Sequence, residues 1–85
     1  MIKIKNNIAI SDSGFVFDAR TGDSFTLNTT GLEIVQLIKE GKDYQGVLQV
    51  FLDKYEVDPE SFERYYLDFV ATLKHMNLIE GNGED

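Results

Sequence analysis

Eighty-five residues carrying a net charge of −7 make one small acidic domain, with room for a single core and no more. Hydrophobic residues make up 42% and charged residues 27% of the chain, the proportions of a soluble globular domain. The lack of Cys excludes a disulfide framework and a thiolate metal site, and no apolar run reaches the ~18 residues of a membrane span. After residue 40 there are ten Asp/Glu against four Lys/Arg, a balance that repels nucleic-acid phosphates and anionic lipid surfaces and favours a basic partner. Met1-Ile2-Lys3-Ile4-Lys5 interleaves charge with Ile, unlike a signal peptide, so the expected location is cytoplasmic. The domain is placed at residues 1–80, and the Gly-rich acidic stretch 81–85 is expected to be a disordered tail.

Ile2, Ile4, Ile8 and Ile10 alternate with Lys3, Lys5, Asn7 and Ser11. A period of two with one apolar face predicts one or two strands, with Asn6-Asn7 as a place to bend. Ser11-Asp12-Ser13-Gly14 is a turn cluster. Phe15-Val16-Phe17 and Phe25-Thr26-Leu27 then predict two strands, joined through Thr21-Gly22-Asp23. Phe15 and Phe17 read as core. Phe25 and Leu27 share one face of the last strand, Ser24 and Thr26 the other.

From there the pattern turns helical. Thr30-Gly31-Leu32-Glu33 fits a capping box, predicting a helix from about Thr30 to Glu40 that Gly41 terminates. Ile34, Val35, Leu37 and Ile38 make this helix apolar over a wide arc, so it should be the most buried. Asp43 caps a second helix, whose Tyr44, Val47, Leu48, Phe51, Leu52 and Tyr55 recur at i, i+3, i+4, i+7, i+8 and i+11. Asp58-Pro59-Glu60 starts a third helix, which runs to about Met76. Its main apolar face is Phe62, Tyr66, Phe69, Val70 and Leu73, with Tyr65 at the edge of that face. Tyr65 and Tyr66 are 100° apart, so one of them lies near the surface. Leu78 and Ile79 are expected to return to the core. The fold class is α+β: three N-terminal antiparallel strands followed by three helices, a winged helix-turn-helix with the strands as the wing.

The chain offers no catalytic constellation. His75 is the single His, without partners for a zinc site or a nucleophile–His–acid arrangement. Asp12, Asp18 and Asp23 lack the spacing of a calcium loop and read as turn residues. The expectation is a protein that is not an enzyme and holds neither metal nor cofactor.

The ordered set Phe-x-Phe-Asp-x-x-Thr-Gly-x-x-Phe-x-Leu-Asn-x-Thr-Gly (Phe15 to Gly31) resembles the signature of PqqD-type proteins. So do Gly41, the Tyr55-Glu56-Val57-Asp58 corner, Phe69-Val70-x-x-Leu73 and the Asn77-Leu78-Ile79 ending. The resemblance covers residues 4–79 and implies the same winged fold. It also implies a peptide chaperone that captures the leader of a ribosomally made precursor peptide and presents it to a modifying enzyme. That enzyme is a radical-SAM protein in pyrroloquinoline quinone synthesis and a leader protease in lasso-peptide pathways. The resemblance further implies that the leader joins the sheet as an antiparallel strand beside Ser24, Phe25, Thr26 and Leu27. Its side chains would enter a groove against the third helix, at Phe62, Tyr65, Tyr66, Asp68, Phe69 and Leu73. Tyr65 is a departure, standing where the family often has an acidic residue. Glu60, Glu63 and Asp68 would complement a basic leader. The chain is expected to be a monomer or weak homodimer without nucleic-acid or membrane partners.

Two rival readings share this topology. One is a winged-helix DNA-binding regulator, which needs basic groups on its recognition helix. From Asp58 to Leu73 the chain has Arg64 alone against Asp58, Glu60, Glu63 and Asp68. The other is a structural module that oligomerises through its open strand.

Overall fold

The computed structural model describes residues 2–81, so the tail expected at 81–85 lies outside the described residues except for Gly81. The elements are β1 (Lys3–Ile4), β2 (Ile8–Ile10), β3 (Phe15–Asp18), β4 (Ser24–Thr26), α1 (Thr29–Lys39), α2 (Tyr44–Lys54), α3 (Pro59–His75) and β5 (Ile79–Glu80). This is the expected α+β order, with one refinement at each end. The alternating Ile pattern divides at Asn6-Asn7, where the Ile8 N–H donates to the Lys5 carbonyl (3.1 Å). Its first half, β1, pairs antiparallel with β5, a strand that follows the last helix. Its second half joins the antiparallel sheet β2-β3-β4.

Register decides which side chains in that sheet are buried. Val16 stands opposite Ile10 on one side and Phe25 on the other, and it is 0% exposed. Phe15 and Phe17 have the opposite parity and are 48% and 39% exposed, contrary to their reading as core. The described helices pack on one face of the sheet only, so one parity of β3 must face out.

Asp18 shares the inner parity with Val16 and is a buried charge. Its carboxylate accepts from the Asn7 side-chain amide (2.8 Å) and the Arg20 N–H (2.9 Å), fastening the start of β2 to the β3–β4 turn. Burial alone would push this carboxyl up. Hydrogen bonds from Arg20, Asn7 and Thr21, with the Arg20 charge, outweigh that and hold it below the usual carboxylate value. At the other end of the hairpin, Gly14 has φ +93°, and a Cβ there would lie 2.7 Å from the Leu27 carbonyl oxygen. Glycine is required on both counts.

The helix boundaries follow side-chain caps. Asp43 accepts from the Gly46 N–H (2.9 Å) and Asp58 from the Ser61 N–H (3.0 Å), each as expected, with Pro59 opening α3. The cap of α1 is Asn28, not Thr30: its Oδ1 accepts from the Gly31 N–H (2.7 Å). Asn28 is still extended as it leaves β4, so it reaches the orphan N–H first and the capping box at Thr30 does not form. At their C-termini α1 and α3 close in the same way. The Lys42 N–H reaches back to the Leu37 carbonyl and the Leu78 N–H to the Leu73 carbonyl, around Gly41 and Asn77 with positive φ.

α1 lies between two apolar clusters. Ile34, Leu37 and Ile38 pack with Val47 and Phe51 of α2 and with Phe62 and Tyr66 of α3. Val35 faces the sheet cluster of Ile8, Val16, Leu73, Leu78 and Ile79. Phe69 and Val70 pack against both clusters. The helical pattern of α2 extends beyond its buried part, since Leu52 and Tyr55 are exposed.

Two measurements check this hairpin. Gly14→Ala should lower stability by roughly 2 kcal/mol in chemical denaturation, from left-handed strain and the approach to Leu27. Asp18 has a depressed folded-state pKa, so its contribution is present above the unfolded value of about 4 and is lost as pH falls through the folded one. Asp18→Asn should therefore be less stable at neutral pH and show a shallower fall in Tm between pH 5 and pH 2, the window of order set by carboxylate titration.

Candidate functional site

The outer edge of β4 is the first component. The Leu27 N–H donates to the Gly14 carbonyl and the Asp18 N–H to the Asp23 carbonyl, both at 2.8 Å. Bonded pairs alternate with non-bonded ones along an antiparallel ladder. With Val16 opposite Phe25 midway between those bonds, the backbone of Phe25 turns toward β3. The N–H and C=O groups of Ser24 and Thr26 turn outward. The opposite edge of the sheet differs. There the outward-facing Ile8 N–H is already taken by the Lys5 carbonyl, so the chain itself closes one of the outward groups of β2.

The second component is a cavity of about 650 Å³ where β4 passes into α1. Asn28, Thr29 and Thr30 form one side, the 55–58 corner another, and Ser61, Phe62 and Tyr65 the third. Phe51 and Val57 contribute apolar floor. Glu33 stands in its wall, accepting from Lys54 Nζ (2.8 Å) and the Tyr55 hydroxyl (2.7 Å). The bond from Lys54, with help from Tyr55, holds the Glu33 carboxyl below its usual value. The same contact raises Lys54 and Tyr55 above theirs. The residue read as a capping-box partner thus ties α1 to the end of α2 instead.

One close contact joins α1 to α3 next to the cavity residues Thr30 and Tyr65. A Cβ on Gly31 would lie 3.0 and 3.1 Å from Phe69 ring carbons, so this glycine lets α3 press onto the first turn of α1. Tyr65 stacks on Phe69 with centroids 6.2 Å apart and planes 4° from parallel. Tyr65 lines the cavity, and Phe69 packs on the same apolar cluster as Phe25 and Leu27.

The residues singled out from the sequence separate into two groups. Ser24 and Thr26 are exposed, Phe25, Leu27 and Phe69 are half-buried, and Tyr65 is 39% exposed. Asp68 is exposed and shares the helical row of Tyr65, Phe69 and Thr72. These reach the surface at least in part, and Phe25, Leu27 and Phe69 share one apolar cluster. Leu73 (1% exposed), Tyr66 (4%) and Phe62 belong to the core. Tyr66 packs on Tyr44 with centroids 4.9 Å apart, and burial, with the nearby Asp43 and Tyr44, pushes its hydroxyl pKa up. Of the two adjacent tyrosines, Tyr65 is therefore the surface one. Glu60 and Glu63 fall well off the Tyr65 row by helical spacing, leaving Asp68 as the acidic group of α3 on this side. The sequence reading missed Asn28, Thr30, Glu33 and Ser61 as cavity lining. The signal for them was the proximity of two helix starts, which appears only when α1 and α3 are brought together.

No helix among the described residues is long and apolar enough to cross a membrane. No group of three His, Cys, Asp or Glu among them is placed to hold a metal ion.

Comparison with known proteins bears on the family of the chain. The family model "Coenzyme PQQ synthesis protein D (PqqD)" matches residues 14–79. No curated protein matches the chain. Among solved structures, a lasso peptide synthetase B1 complexed with the leader peptide is 28% identical, with a TM-score of 0.84 over 94% of this chain and 98% of that one. TbiB1 in complex with the TbiA(β) leader peptide is 30% identical, with a TM-score of 0.85 over 95% of this chain and 98% of that one.

The Gly31–Phe69 contact makes a direct prediction. Gly31→Ala should lower stability by about 1–3 kcal/mol through overpacking, seen as a lower denaturation midpoint. Phe69→Leu in the same chain should recover part of the loss by removing the ring edge.

Proposed function

We propose that this chain, which belongs to the PqqD family, binds the leader segment of a ribosomally made precursor peptide by strand addition to β4 and presents it to a modifying enzyme. The observation that carries the reading is the outward-facing N–H and C=O groups of Ser24 and Thr26, on an edge that no described residue covers with a backbone hydrogen bond. Main-chain bonds of this kind supply affinity without reading sequence, and pockets for alternate side chains supply specificity. Phe25, Leu27, Phe69 and Tyr65 are the surface that those side chains meet.

An antiparallel peptide runs opposite to β4. Its earlier residues lie toward Asn28 and the cavity, and its later residues leave past Ser24 toward the β3–β4 turn. The leader peptides bound to the two similar B1 proteins support this choice of ligand. The chain's own role is capture and orientation, with the chemistry left to the enzyme, a radical-SAM protein or a leader protease.

Shift mapping of isotope-labelled protein with the leader of the precursor encoded beside its gene tests the reading. Changes should concentrate at residues 24–28 and along the Tyr65 row of α3. Changes confined to the far side of the molecule would defeat it. Thr26→Pro removes an outward N–H from an edge strand, so it should leave the fold intact and weaken the peptide by about tenfold or more. Tyr65→Ala should also weaken binding, with little loss of stability.

A further inference from the structure

The outer face of the sheet is aromatic and uncharged. Ladder register places Ala9 beside Phe17, Phe17 beside Ser24, and Phe15 beside Thr26. Ser11 stands next to Phe15, donating its N–H to the Phe15 carbonyl. All six side chains are exposed and none is charged, although 27% of the chain is. Solvent-facing sheet surfaces ordinarily carry mixed charge for solubility. A charge-free patch centred on two aromatic rings has instead the make-up of a protein–protein interface core.

Size narrows the choice of what covers it. Six residues of this kind offer on the order of a few hundred Å², against about 800 Å² per partner in a stable complex. A second copy seated here alone would bind weakly, and −7 on each copy opposes it. The patch is also continuous with the edge described above. Ser24 and Thr26 contribute their side chains to the face and their outward backbone groups to the edge. A peptide strand added there would widen the face by one row, because alternate side chains of the new strand point the same way as Phe15 and Phe17.

We propose that the outer face of β2-β3-β4, completed by the bound leader, is the docking surface for the modifying enzyme, through an apolar, charge-poor patch on that enzyme. The inference rests on the strand-addition reading. It adds that the enzyme reads chain and leader as one surface, so the leader-loaded chain is its preferred partner.

The test uses the full chain, the precursor peptide and the modifying enzyme encoded beside its gene, each purified. Thr retains strand preference, so the first variant is Phe15→Thr with Phe17→Thr. A second variant, Ala9→Lys, places a charge in the same face. Leader affinity, followed through the shifts of residues 24–28, should be unchanged in both. Enzyme affinity for the wild-type chain should rise by about tenfold when leader is present, and both variants should lose at least about tenfold of the leader-loaded affinity. Enzyme affinity indifferent to both variants, or indifferent to leader, overturns the proposal while leaving strand addition standing. Self-association of the wild-type chain in sedimentation, abolished by the variants, assigns the face to a second copy and also overturns it. A leader that fails to shift residues 24–28 instead overturns the strand-addition reading, and the docking proposal with it.

Discussion

The ladder between β3 and β4 fixes almost everything that matters in this molecule. The Leu27–Gly14 bond pins one end and the Asp18–Asp23 bond the other. A slip of one residue would exchange every inward and outward side chain. Val16 would leave the core, and Phe15 and Phe17 would enter it. A slip of β4 in place of β3 would turn the backbone groups of Ser24 and Thr26 inward and those of Phe25 outward. Two features guard against it. Gly14 is the residue whose missing side chain lets the Leu27 carbonyl approach, and Asp18 is held by donors from both flanking segments.

α1 transmits this register to the rest of the chain. Asn28 ends β4 in an extended conformation and caps the helix two residues before the capping box predicts. That early start places Ile34, Leu37 and Ile38 toward α2 and α3 and Val35 toward the sheet. It also releases Glu33 from the helix terminus to reach Lys54 and Tyr55. An exposed ion pair of this kind contributes little to stability. Its effect is geometric: it holds the corner after α2 where the cavity needs a wall.

Much of this was legible in the residues. Asp43, Asp58-Pro59 and Gly41 mark helix ends by local chemistry, and local chemistry is what a sequence states directly. The Ile alternation identified strand, yet could not say that its two halves pair with different partners, because β5 comes from the far end of the chain. Phe15 and Phe17 face solvent for a reason the sequence does not state. Alternation reveals two faces but not which of them the helices cover, and aromatic content pointed the wrong way. Thr30 and Asn28 are both good caps, and only the path of the chain out of β4 chooses between them. The cavity draws its walls from α1, the 55–58 corner and α3, so no single window of sequence contained it. The edge position of β4 is set by the sheet order β2-β3-β4, and the orientation of its backbone groups by the ladder, neither of which is written in the residues of β4 alone.

The pairing of β1 with β5 has a consequence for how such a domain is used. Lys3 and Glu80 are register partners, so the chain enters and leaves through neighbouring points about 5 Å apart. Each protects the other from fraying. A unit with adjacent ends is also easily transplanted: joined to another protein at either end, or inserted into one of its loops, it would keep its own sheet and need no rerouting of the host chain.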